Sequence, residues 1–200
     1  MIKRRKKGYF VVCEGLDGAG KTTIINGFLA KKDEHLEDYV YSKGLKSKTW
    51  IGKLSAKKPK AFLFLLDLAY TTQRYVKPSL RKDKVVLQDR YDVSVKSYVP
   101  REDKWYNRLT AYLVKPFLLK PDLLIYFDVK QKERLRRLEK TRDNKYHAYL
   151  LKNPEVINIR RKEYAKHYFA REGPKAIIDT DNKSIDDVVK EFERVLMKYK

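Results

Sequence analysis

The sequence predicts an α/β fold in three layers, a parallel five-stranded sheet flanked by helices. Three observations predict it. Five short apolar runs rich in β-formers alternate with helical patterns along the chain. Each run is apolar almost throughout, as strands are when helices cover both faces of a sheet. The first run passes through a glycine-rich turn directly into a helical pattern.

The predicted strands are Tyr9–Cys13, Val40–Ser42, Val85–Gln88, Asp122–Phe127 and Ala176–Ile178. Helical patterns follow at Thr23–Ala30, Asn107–Leu119, Gln131–Thr141, Pro154–Arg171 and Ser184–Lys198. Another runs from Pro59, which can open a helix, to about Leu80. Its centre, Ala61–Tyr70, is apolar nearly all round, so more than one side must be covered. Burial inside the chain is one solution. A homodimer interface is the other, and the one favoured here.

Two hundred residues fit one domain, 1–200, and 42% hydrophobic residues can fill its core. No apolar run reaches the roughly 18 residues of a membrane span. The basic start, Lys3–Lys7, is followed by no long apolar signal core, so a cytoplasmic enzyme is expected. One cysteine, Cys13, rules out an intramolecular disulfide. Lys and Arg number 47 against 26 Asp and Glu, a formal charge of +21. Such a surface draws anions. Without a recognisable nucleic-acid module, it reads as the charged exterior of a thermophilic protein. Nucleic acid is not an expected partner, and neither is a membrane. The lysines of 43–60 are expected to form a solvated face or the rim of an anion site.

Residues 15–22 read G-x-x-x-x-G-K-T. Strand, glycine turn and helix together make this a phosphate-binding loop. Gly15, Gly18, Ala19 and Gly20 let backbone N–H groups curl round an anion at a helix N-terminus. Lys21 is expected to reach the β- and γ-phosphates of ATP. Thr22 is expected to ligate Mg²⁺, with Thr23 beside it. The metal needs a carboxylate as well, and Asp89, at the end of a buried strand, is the candidate. Its alternatives are a helix cap or a partner for Arg90. Asp128 reads as the cap of the helix that follows it. Arg90, with its planar fork, suits an acceptor phosphate. The loop itself carries no arginine, although phosphoryl transfer calls for one more cation. The segment from Arg134 to Asp143 supplies several, and 134–152 reads as a mobile lid. Arg137 and Arg142 are its catalytic candidates. His35, His147 and His167 lack metal spacing and read as ordinary residues.

Four segments resemble the thymidylate kinase family of phosphate-loop nucleoside monophosphate kinases. They are Cys13–Thr23, Leu63–Asp67, Val85–Tyr91 followed by Ser94 and Tyr98, and Lys120–Val129 leading into the lid. The resemblance implies the fold of that kinase class, ATP and a deoxynucleoside monophosphate as substrates, Mg²⁺, and a homodimer formed through helices. It implies that Asp17 lies beside the acceptor sugar's 3′-hydroxyl and that Phe64 stacks on the base. Arg90 would hold the acceptor phosphate, and Tyr98 would crowd a 2′-hydroxyl. Three positions depart from the pattern. Leu68 and Val95 stand where many members place polar, base-reading residues, and Lys43 or another lysine nearby stands in place of the usual arginine after the second strand. Archaeal members share this looser pattern, so dTMP is the expected acceptor and a thermophilic archaeon the expected source. A broader deoxynucleoside monophosphate kinase is the alternative, with a basic nucleic-acid-acting protein behind it.

Overall fold

The computed structural model describes residues 8–31, 38–45, 48–57, 61–98 and 105–200. The basic start, His35, Pro59 and part of the Lys43–Lys60 segment lie outside the described residues.

The expected five-stranded parallel sheet is present. Its strands are β1 (Tyr9–Glu14), β2 (Tyr39–Lys43), β3 (Val85–Asp89), β4 (Leu123–Asp128) and β5 (Lys175–Asp179). They pair side by side in the order β2-β3-β1-β4-β5, every pair parallel. β1, β3 and β4 form the middle and are buried nearly throughout, which is why they read as continuous apolar runs. Register brings Cys13 and Lys43 level with Asp89. The loop after β1 and the acidic end of β3 thus open at the same carboxyl edge, where ligands bind on such sheets.

Helices cover both faces. One core half gathers Val11, Cys13, Leu87, Ile125 and Phe127 against α1 (Lys21–Leu29) and α10 (Ile185–Tyr199). Ser184 caps α10, accepting from the Asp187 N–H at 3.1 Å. The other half gathers Phe10, Val12, Val86 and Leu124. It packs against α3 (Ala61–Thr71), α5 (Asp92–Tyr98), α8 (Lys145–Lys152) and α9 (Pro154–Phe169). The helix expected to end near Leu80 is continuous from Ala61 to Arg81, but widens to a π-turn at Thr72–Val76 before α4 (Lys77–Arg81). Pro78 supplies the reason, since it lacks an N–H and its ring clashes with the carbonyl four residues back. α6 (Trp105–Val114) likewise tightens to a 3₁₀ turn at Lys115–Phe117, where Pro116 sits.

Among the described residues, the apolar α3 is only partly covered. Leu63 and Leu68 are buried, while Leu66 and Tyr70 remain exposed. α3 packs on α2 (Trp50–Lys57) and α6. Trp105, Tyr106, Leu109, Tyr112 and Leu113 of α6 are also exposed.

Candidate active site

The loop after β1 is shaped by close packing. A Cβ on Gly15, at φ 146°, would sit 2.5 Å from the Phe127 carbonyl oxygen of β4. Across the sheet edge, a Cβ on Gly44 would sit 1.8 Å from the Arg90 carbonyl oxygen, so β2 can leave the sheet beside β3 only through glycine. Lys21 opens α1 and folds back over the loop. Its Nζ donates to the carbonyls of Gly15 at 2.8 Å and Leu16 at 3.0 Å. Burial and the neighbouring Arg90 draw its pKa down to about 8, against the pull of Asp89, Asp17 and Glu14.

At the next residue, the Thr22 hydroxyl donates to Asp89 Oδ2 at 2.7 Å, and the Tyr41 hydroxyl reaches the same oxygen at 3.2 Å. Asp89 Oδ1 is buried without a hydrogen-bond partner. A buried carboxylate oxygen left unpaired is costly and points to a cation or a donor absent from the protein itself. The described residues hold no group of three or more His, Cys, Asp or Glu arranged to hold a metal ion. Thr22 and Asp89 are hard oxygen donors, which fits Mg²⁺ completing its shell with water and phosphate.

Beside the loop lies the Asp17–Arg90–Tyr98 group. Arg90 follows β3 in the left-handed region, at φ 70°. Its Nη2 pairs with Asp17 Oδ1, and Tyr98 donates to Asp17 Oδ2 at 2.6 Å. Burial alone would raise the Asp17 pKa, but Arg90, Lys21 and the Tyr98 bond hold it well below the usual carboxylate range. The Tyr98 ring lies 5.1 Å from the Arg90 guanidinium carbon and 4.7 Å from that of Arg160.

A cavity of about 660 Å³ lies beside these groups. Its lining includes Asp17, Gly18, Gly20, Lys21, Thr22, Thr23 and Arg90, together with Arg137, His147, Thr180 and Lys183. Arg137, on α7 (Gln131–Glu139), holds that helix to the loop. It donates to Thr180 Oγ1 at 2.9 Å, the Thr180 carbonyl at 2.7 Å and the Gly18 carbonyl at 3.4 Å. The other expected lid arginine, Arg142, is exposed, pairs with Glu139 at 3.1 Å and does not line the cavity. Phe64 lies outside the cavity lining too, half-buried against the apolar cluster that contains Leu68 and Val95. Ala19 is buried in the opposite core half.

Asp128 departs from the expected helix cap. Its oxygens pair with Arg134 at 3.3 Å and Arg161 at 2.6 Å, while α7 is capped by Lys130 without a side-chain bond. The buried Arg134 draws Asp128 away from that role. His147, read from sequence as ordinary, lines the cavity and lies 2.8 Å from Thr141 Oγ1. Sequence reading also missed Arg160, Thr180 and Tyr164. None carries a spacing signal, because all reach the site from the far half of the chain. Glu14 did leave a trace, as a charge closing an apolar strand.

The family model described as thymidylate kinase matches residues 13–192. A probable thymidylate kinase of Pyrococcus horikoshii is 31% identical over 78% of this chain and 79% of the relative. The thymidylate kinase of Leptospira interrogans is 30% identical over 97% of this chain and 96% of its own. The crystal structure of thymidylate kinase from Ehrlichia chaffeensis superposes with a TM-score of 0.67 at 20% identity, covering 96% of this chain and 99% of that one. The Candida albicans thymidylate kinase does so at 0.68 and 18%, covering 96% and 92%. These two likenesses show the shared fold. With the family model spanning the phosphate loop, the Asp89-Arg90-Tyr91 strand end and residues 134–152, the chain belongs to the thymidylate kinase family.

Proposed function

We propose that the protein transfers the γ-phosphoryl group of ATP to dTMP, giving ADP and dTDP. The observation that carries this reading is that Lys21 and Arg90 line one cavity. A phosphate-loop lysine and a second phosphate-binding arginine in one space suit a small phosphorylated acceptor better than water.

In this reading, the loop amides and Lys21 take the ATP phosphates, and Lys21 exchanges the Gly15 and Leu16 carbonyls for phosphate oxygens. Arg90 holds the acceptor phosphate. Asp17 keeps Arg90 in place and reaches toward the acceptor's 3′-hydroxyl, and Tyr98 crowds the 2′-position. Phe64 offers its ring to the base. An acceptor phosphate oxygen then attacks in line, and because it is already anionic, no strong general base is needed. Charge spreading over the transferred group is met by Lys21, the loop amides and Arg137. Arg142 would join only if the 134–152 lid moved. Thr22 and Asp89 would hold Mg²⁺, which neutralises phosphate charge when bound.

The single domain, 1–200, would work as a homodimer. The exposed apolar residues of the packed helices α3 and α6 support that reading, since so much apolar surface calls for a partner. The excess of Lys and Arg would steer anionic nucleotides inward. No helix among the described residues is long and apolar enough to cross a membrane, and a nucleotide kinase of this charge suits the cytoplasm. The test is chromatographic identification of dTDP after incubation with ATP, Mg²⁺ and dTMP. Formation by the wild type and not by Lys21→Ala supports the reading. Free phosphate in place of dTDP would refute it.

A further inference from the structure

One chain of polar groups in the core has no part in the reading above. Glu14, at the end of β1, is fully buried. Its Oε1 accepts from the backbone N–H groups of Tyr91 at 2.8 Å and Ser94 at 3.0 Å. The Ser94 hydroxyl donates to Glu14 Oε2 at 2.5 Å. The same hydroxyl lies 2.5 Å from that of Tyr164, and Arg90 Nη1 donates to Tyr164 at 3.2 Å.

The protons can be placed in one consistent direction. Ser94 spends its proton on Glu14, so it accepts from Tyr164, and Tyr164 accepts from Arg90. Two hydroxyls thus connect a buried carboxylate to the guanidinium, with the Tyr164 hydroxyl also 3.5 Å from Glu14 Oε2, and such chains strengthen each member. Burial keeps the Tyr164 hydroxyl protonated, well above the usual tyrosine range. The two ends of Arg90 are also divided. Nη1 faces Tyr164, the Gly15 carbonyl at 3.4 Å and Ser94 at 3.4 Å, whereas Nη2 faces Asp17.

We propose that Tyr164 is a positioning residue for the acceptor phosphate. Anchored through Ser94 to Glu14, its hydroxyl fixes the Nη1 edge of Arg90 and leaves the Nη2 edge to work against Asp17 and the acceptor. This rests on the reading of Arg90 as the acceptor-phosphate ligand. The anchored edge matters most when the acceptor arrives, because Nη2 must then share Asp17 with a second anion.

The test is Tyr164→Phe, which keeps the ring and its contacts with Tyr98 at 5.9 Å and Tyr126 at 6.0 Å. The KM for dTMP should rise about tenfold, the scale of one hydrogen bond to a charged group, with the KM for ATP unchanged. Ser94→Ala should act alike, and the double variant should be no worse than the worse single one, since both cut the same chain. A second readout needs no turnover. In ¹⁵N NMR, the Arg90 Nη groups should give separate signals in the wild type and averaged signals in Tyr164→Phe. Unchanged Arg90 signals overturn the proposal, as does an equal rise in both KM values. If the wild type failed to make dTDP, the proposed function would fall, and the Arg90 signals would still decide the role of Tyr164.

Discussion

Arg90 and Asp17, 73 residues apart in sequence, form one ion pair that joins the end of β3 to the phosphate loop. The pair makes the loop more than a triphosphate cradle. One carboxylate inside it sets the position of a cation beside it. Arg90→Ala should lower kcat/KM for dTMP by about 10³-fold, the upper range for losing one partner of a hydrogen-bonded charge pair. Steady-state kinetics checks this, with circular dichroism confirming the fold. The pair also sets an acid limit. Asp17 is held below its unfolded pKa of about 3.9, so its stabilisation is complete above that value and fades as pH falls through the lower folded pKa. Asp17→Asn should therefore flatten the acid side of the stability profile in thermal melts.

Lys21 predicts an alkaline limit. Free of nucleotide, its pKa lies near 8, so part of the population is uncharged above that pH. ATP favours the charged form, and binding above pH 8 should take up a proton. The kcat/KM for ATP should fall as pH rises through about 8, and Lys21→Arg should shift that fall upward. Buffer-dependent calorimetry measures the proton directly; no uptake at pH 8.5 would contradict the assignment.

At the proposed metal position, Asp89→Asn keeps the size of the side chain but removes its charge. The Mg²⁺ concentration needed for half-maximal rate should rise by about tenfold or more, while dTMP affinity changes little. A Mg²⁺ titration at fixed ATP gives the answer.

The two arginines of the proposed lid, Arg137 and Arg142, separate cleanly. Arg137→Ala should lower kcat by about 10²- to 10³-fold, as loss of a transition-state donor does. Arg142→Ala, whose side chain is 69% exposed, should have a far smaller effect. Equal losses from both would mean that the lid reorganises before the reaction.

Much of this was legible in the sequence because the chemistry is local there. Gly15–Thr22 carries its loop, and the apolar runs of β1, β3 and β4 reveal buried parallel strands. Arg90 follows Asp89, so the strand end announces two charges at once. The remainder was hidden for physical reasons. Tyr164 and Arg160 reach the site from α9 by folding, with no periodic mark. Asp128 sits where a cap would, but the pull of Arg134 and Arg161 is visible only in three dimensions. The short helix α5 was missed because valine and serine hide its helical pattern. Leu68 and Val95 raised the question of base reading, and both are core residues without a polar group to offer.

The most direct measurement is ADP release with ATP and Mg²⁺ across the common ribo- and deoxynucleoside monophosphates. The fastest turnover should come with dTMP, with ribonucleotides disfavoured by Tyr98. A purine monophosphate preferred over dTMP, or ADP released at the same rate with no acceptor present, would contradict the account.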